Sequence, residues 1–214
     1  MTLKLFTAIL LLAMCNLAAQ PLPELRTEPT TGGSIFFVKN AASQPVTAFL
    51  IELVNYPGSS YSLYQDEAAN VLIAPGAEKR IQVVNMTVGA VPDYVKLQGA
   101  LFADGSSAGI PEKITQIVER RRFTLATIRD LISRLRKAQA ASTPKAALIA
   151  DLKQWADGLQ PAGKARASQA TINQAAARSV VTDAVTWLDS HSLDEALAKC
   201  RAAERSLAAS KPAL

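Results

Sequence analysis

Pro111 divides the chain into two stretches of different character, and that division limits the folds open to it. Eight of the ten glycines, and eight of the eleven aromatic residues beyond position 19, lie before it. From Glu112 onward the chain holds 23 alanines. Charge splits at the same point. Residues 20–111 carry eight acidic and five basic side chains, a net −3, whereas residues 112–214 carry ten and seventeen, a net +7. Glycine, proline, aromatic and β-branched residues favour strands and turns. Alanine, leucine, arginine and lysine favour helix. The segregation therefore predicts a β region followed by a helical region, not an alternating α/β fold.

The whole-chain figures exclude several classes. With 49% hydrophobic and 19% charged residues, the chain is too apolar for intrinsic disorder. Two cysteines and one histidine are too few for a Cys/His zinc site or a disulfide-stapled mini-protein. The first nineteen residues read as a signal peptide: Lys4 supplies the positive end, and Leu5 to Cys15 forms the apolar run, ended by Asn16. Such a run is short for a membrane span and suits an export signal. Ala18 and Ala19 place cleavage before Gln20, and Pro21 and Pro23 oppose helix continuation. Leu12-Ala13-Met14-Cys15 is the weaker lipoprotein alternative, because Met14 stands where a lipobox carries a small residue. Cleavage after Ala19 would leave Cys200 alone, with no intrachain bridge available. No later apolar run approaches transmembrane length, so no transmembrane segment is expected in the mature chain.

Strands are expected at Ser34–Val38, Val46–Val54, around Tyr61 and Leu63, at Val71–Ala74, Arg80–Val84 and Tyr94–Ala103. Val46–Val54 is apolar on both faces and so should be central. Pro57-Gly58 and Pro75-Gly76 mark turns, and Val95, Leu97 and Leu101 are expected on one face of the last strand. Six short strands bounded by turn residues fit an antiparallel sandwich.

Ile35 to Asn40, Ser43, Pro45-Val46-Thr47-Ala48-Phe49, and Ala74-Pro75-Gly76 leading into Ile81-Gln82-Val83 resemble the immunoglobulin-like sandwiches of bacterial exported proteins, in particular cell-adhesion-related modules. Where those modules usually carry glycine after the asparagine, this chain has Ala41-Ala42-Ser43. The resemblance implies a fold and leaves the ligand open, since such folds host many functions.

The second stretch reads as about four helices. Pro111 suits a first helical turn. Val118, Leu125 and Ile132 repeat every seven residues, as do Ile128 and Leu135, with Ile114, Ile117 and Leu131 widening the stripe. Arg121 stands in the second series where an apolar residue is expected. Thr143-Pro144 should cap and open a second helix carrying Leu148, Leu152 and Trp155, with Gly158 in a left-handed C′ position. A third helix should begin near Ser168 and carry Ile172, Ala176, Val180, Ala184 and Trp187. Ser192 and Glu195 form a capping box for the fourth, whose Leu193, Leu197, Cys200 and Leu207 share a face. Sequence does not settle whether the long first helix packs on the sandwich or in the bundle.

The expected organisation is an α+β, multidomain chain: signal peptide 1–19, linker 20–29, immunoglobulin-like antiparallel β-sandwich 30–110, Ala-rich α-helical region 111–210 and tail 211–214. No catalytic or metal-binding residue is assigned and no cofactor is expected. His191 reads as the residue before a helix cap, and Cys200 as a core thiol. Asp66-Glu67 and Asp104-Gly105-Ser106 lack the oxygen-ligand spacing of a calcium loop and read as turns. Asn85-Met86-Thr87 matches a glycosylation sequon of low specificity. Arg120, Arg121 and Arg122 are the candidate anion-binding residues, with Glu119 and Asp130 near enough in sequence to pair with them. The chain is thus expected to be an exported, periplasmic or secreted, non-enzymatic envelope protein. Its expected role is interaction or scaffolding with a protein partner. The alternatives are contact with anionic lipid or acidic glycan through the basic helices, or an enzyme of unrecognised type. Export and the absence of an aromatic-basic stretch argue against nucleic acid.

Overall fold

The computed structural model describes residues 20–54, 61–68, 70–84, 94–159 and 168–214. The segment read as a signal peptide, with Cys15, and the expected turn at Pro57-Gly58 and sequon at Asn85-Met86-Thr87 lie outside the described residues. Seven strands precede four helices: β1 Glu24–Thr30, β2 Gly33–Lys39, β3 Val46–Leu53, β4 Ser62–Asp66, β5 Glu78–Val84, β6 Val95–Phe102, β7 Ser107–Gly109, then α1 Pro111–Ala140, α2 Lys145–Gly158, α3 Gln169–Ser190 and α4 Leu193–Ala208. The strands form two antiparallel sheets, ordered β1-β2-β5 and β4-β3-β6-β7. Phe36 and Val38 of β2 and Val83 of β5 meet Phe49 and Ile51 of β3 and Phe102 of β6 in one shared core. As its two-faced apolar sequence requires, β3 is central.

Five of the six expected strands are present. Val71–Ala74 is not a strand: only Ile73 bridges to Val46, because both edges of β3 are already taken by β4 and β6. Two strands were not expected. Most of the 20–29 stretch, read as a linker, forms β1; its Pro29 is tolerated because β1 is an edge strand paired to β2 alone. The three-residue β7 closes a hairpin over the Asp104-Gly105 turn, where the Asp104 carboxylate accepts from the Ser106 amide and hydroxyl. The expectation that Leu101 shares a face with Val95 and Leu97 fails for a definite reason. The β3–β6 register passes from Leu50↔Gly99 to Ile51↔Leu97, so Gln98 is an extra residue and the facing inverts beyond it.

Two turns are tied together by Asn40, which is fully buried. Its side-chain amide donates to the carbonyls of Gln44 and Ile73, and its Oδ1 accepts from the Ala42 amide. Its backbone carbonyl takes the amide of Gly76, which has φ +74° in the Ala74–Ala77 turn. Proline second and a positive-φ glycine third give a type II turn, closed by the Ala77 amide on the Ala74 carbonyl.

At 30 residues, α1 is about 45 Å long and belongs to both halves of the molecule. Its first part lies on the outer face of the four-stranded sheet, where Ile117 packs with Ala48, Leu50 and Leu101. Its second part carries Leu125, Ile128, Leu131, Ile132 and Leu135 into a core shared with Leu148 and Leu152 of α2, Val181, Val185 and Leu188 of α3 and Leu197 and Leu207 of α4. The long helix packs on the sheet and in the bundle, one after the other. Lys113 Nζ to Glu52 (2.6 Å) ties its first turn to β3.

The helix ends follow the sequence in part. Ser168 and Ser192 both cap through reciprocal boxes, with Thr171 and Glu195 as partners. Thr143 does not cap α2; Pro144 itself is the N-cap. Gly158 is the last helical residue, not a left-handed C′, and the positive φ near these ends falls at Ser142 (50°) after α1. Residues 211–214, read as a tail, are held against the body: Leu214 packs on the bundle core, and a Cβ on Gly105 would lie 3.3 Å from Lys211.

Gly99 lets α1 approach β6 closely, since a Cβ there would sit 2.9 Å from Ile114 Cδ1. Gly99→Val should lower unfolding free energy by about 1–3 kcal/mol through overpacking. Gly158 has open space around a Cβ and no positive φ, so Gly158→Ala should be neutral or stabilise by up to about 1 kcal/mol. Urea denaturation of both variants reads the contrast; equal effects would contradict this placement of α1.

Candidate functional site

Where α1 passes from sheet to bundle, its buried stripe contains Arg121, only 1% exposed. The guanidinium makes five hydrogen bonds. Nε donates to Asp66 Oδ2 at 2.7 Å and Nη2 to Asp66 Oδ1 at 2.7 Å, a bidentate pair. Nη2 also reaches Thr47 Oγ1 (3.1 Å) and the Ala68 carbonyl (3.3 Å), and Nη1 donates to the Lys211 carbonyl (2.8 Å).

Each partner is positioned by a local feature. Asp66 is the last residue of β4. Its carboxylate accepts from the Tyr64 hydroxyl and the Ala68 amide as well as from Arg121, two bonds per oxygen, which fills its capacity. The Ala68 turn is held at φ 55°, a conformation uncommon outside glycine. Thr47 occupies the second register shift, between Val46↔Phe102 and Ala48↔Leu101, and such a bulge re-aims a side chain. Buried itself, the Thr47 hydroxyl donates a hydrogen bond to the Leu101 carbonyl while accepting one from Arg121. One guanidinium thus joins β3, the end of β4, α1 and the chain beyond α4.

Electrostatics follow from this geometry. Burial pulls the Arg121 pKa down, but the hydrogen bonds and charge of Asp66 outweigh it and the net displacement is upward. Burial, reinforced by the Asp66 carboxylate, holds the Tyr64 phenol well above its ordinary value. The Arg120 guanidinium lies over the Tyr64 ring at 4.0 Å from the centroid, and burial pulls its pKa down against the opposing Tyr64 and Asp66.

The three arginines read together as anion-binding candidates are therefore separated by the fold. Arg121 is not part of a solvated face; it is consumed internally, and its acidic partner is Asp66, not Glu119 or Asp130. Arg122 is exposed. Arg120 is half-buried and lines a cleft of about 380 Å³ between the end of β4, α1, α3 and α4. Sequence reasoning missed Tyr64, Thr47 and Lys211, and weighed Asp66 only against calcium. The available signal was the charged residue interrupting an apolar heptad.

The other singled-out residues have ordinary surroundings. His191 is the C-cap of α3; its ring stacks on Trp187 at 3.7 Å, and Nδ1 faces the Trp187 carbonyl (3.0 Å) and the Ser190 hydroxyl (2.9 Å). Cys200 is half-buried against the bundle core, and burial raises its thiol pKa. The chain matches no protein-family model, no curated protein and no solved structure.

Two measurements test the junction. Arg121→Met or Asp66→Leu alone should each cost about 3–5 kcal/mol, because each strands a buried charge. The double variant should cost less than the two losses combined, a coupling read from urea denaturation. Separately, the last phenol to ionise in an absorbance titration should vanish in Tyr64→Phe. Because the folded pKa is raised above the ordinary phenol value of 10.0, the stabilisation tied to protonated Tyr64 is complete below about pH 10 and is lost as pH rises through the raised value.

Proposed function

We propose that the chain is an exported, non-enzymatic interaction or scaffolding module of the cell envelope, built on an immunoglobulin-like sandwich. The strand order supports the sandwich: β1-β2-β5 facing β4-β3-β6-β7 corresponds to strands A-B-E facing C′-C-F-G of that fold. The apolar run behind Lys4 supports export. One observation carries the functional reading. At the junction, guanidinium, carboxylate and phenol converge, and their hydrogen-bonding capacity is spent on one another and on the surrounding backbone. The cluster fixes the strand-rich half against the helical half, and a fixed relation between two surfaces is what a scaffold requires.

Mass spectrometry of the mature protein from an envelope fraction, after crosslinking in intact cells, tests this reading. The expected mature chain begins at Gln20 and gives one crosslinked partner at fixed stoichiometry, lost in Arg121→Met. A lipid-modified Cys15 at the start would correct the export route. An unprocessed chain in the cytoplasm, or a partner recovered equally well with Arg121→Met, would overturn the proposal.

A further inference from the structure

Arg120 and Arg121 both line the cleft between the end of β4, α1, α3 and α4, but Arg121 has committed its donors and Arg120 has not. Among the described residues its guanidinium has no hydrogen-bond or ion-pair partner, only the face of Tyr64. Half-buried, it has lost much of its hydration without gaining an anion in return. The cleft it lines, at about 380 Å³, falls within the range of small-molecule sites. Its walls divide by chemistry. Thr124, Ser179 and Ser206 contribute hydroxyls, and Val180 and Leu207 contribute apolar surface. Of the charges on this lining, Arg121 is neutralised by Asp66 and Glu67 is exposed and screened by solvent, which leaves Arg120 as the one cation without a paired anion. A dianion would meet too little positive charge to compensate it, whereas a single negative charge has Arg120 as its counter-ion.

We propose that this cleft binds a small amphipathic monoanion, a carboxylate headgroup on a short alkyl body, with Arg120 taking the headgroup and Val180 and Leu207 the body. A planar carboxylate accepts two parallel N–H bonds from a guanidinium, and a phosphate monoester, mostly dianionic at neutral pH, is disfavoured by the same charge balance. The site is independent of export and of any envelope partner, so its failure would leave the scaffold reading standing.

Calorimetry and amide-shift mapping on the folded chain from Gln20 onward, with hexanoate, hexyl phosphate, inorganic phosphate and hexanol as probes, decide the matter. Saturable binding of hexanoate, with shifts centred on Arg120, Ser179 and Ser206, is expected. Hexanol, inorganic phosphate and the dianionic hexyl phosphate should each bind at least tenfold more weakly. Arg120→Gln should lose at least tenfold, and Arg122→Gln should bind as the parent does. Ser179→Trp, which fills the cleft and leaves Arg120 in place, provides a second test if Arg120→Gln does not fold. Hexanol, hexyl phosphate or inorganic phosphate binding as tightly as hexanoate, unchanged hexanoate binding in Arg120→Gln or Ser179→Trp, or no saturable binding of hexanoate would overturn the assignment.

Discussion

The Arg121–Asp66 pair is the constraint on which the arrangement of this molecule depends. Taking a guanidinium and a carboxylate out of water costs several kcal/mol per ion, and the pair recovers that only where geometry is good and every remaining donor and acceptor is used. Here both conditions are met, with two parallel 2.7 Å contacts and further bonds to Thr47, Ala68 and Lys211. A lysine could not substitute, since a single ammonium cannot form the planar fork. An apolar side chain of similar volume could fill the space, but it would accept many orientations of β4 relative to α1. The ion pair accepts few, so its contribution is the register between sheet and helix as much as net stability.

That constraint also explains the local irregularities around it. The extra residue at Thr47 turns a side chain of a central strand toward the helix. Ala68 holds a left-handed backbone conformation because its amide and carbonyl are both bonded within the cluster. Arg120 and Arg121 are neighbours in sequence with different fates: successive residues on a helix point about 100° apart, so one enters the junction and the other flanks it.

Much of the fold was legible because it depends on local pattern. The seven-residue series through Val118, Leu125 and Ile132 located α1, and Ser192 with Glu195 located the start of α4. Pro75-Gly76 gave its turn because proline and glycine fix φ without help from elsewhere. Features that depend on distant pairing were not legible. β1 was hidden because an edge strand with charged outward residues and a proline lacks a strong alternation of its own. The facing of Leu101 was misjudged because a bulge is a property of two strands together. Asp66 lies 55 residues from Arg121, and nothing local to either residue names the other. The legible trace of the site was a gap, an arginine where the stripe called for leucine.

The break in composition at Pro111 is therefore not the break in cooperativity. Because the first part of α1 covers Ala48, Leu50 and Leu101, and its second part carries the inner wall of the bundle, either half taken alone would leave apolar surface open to water. Severing the chain at its compositional boundary would strip the sheet of the helix that covers it. Heat or denaturant acting on the intact chain meets two cores coupled through one shared helix, so loss of order in one removes support from the other.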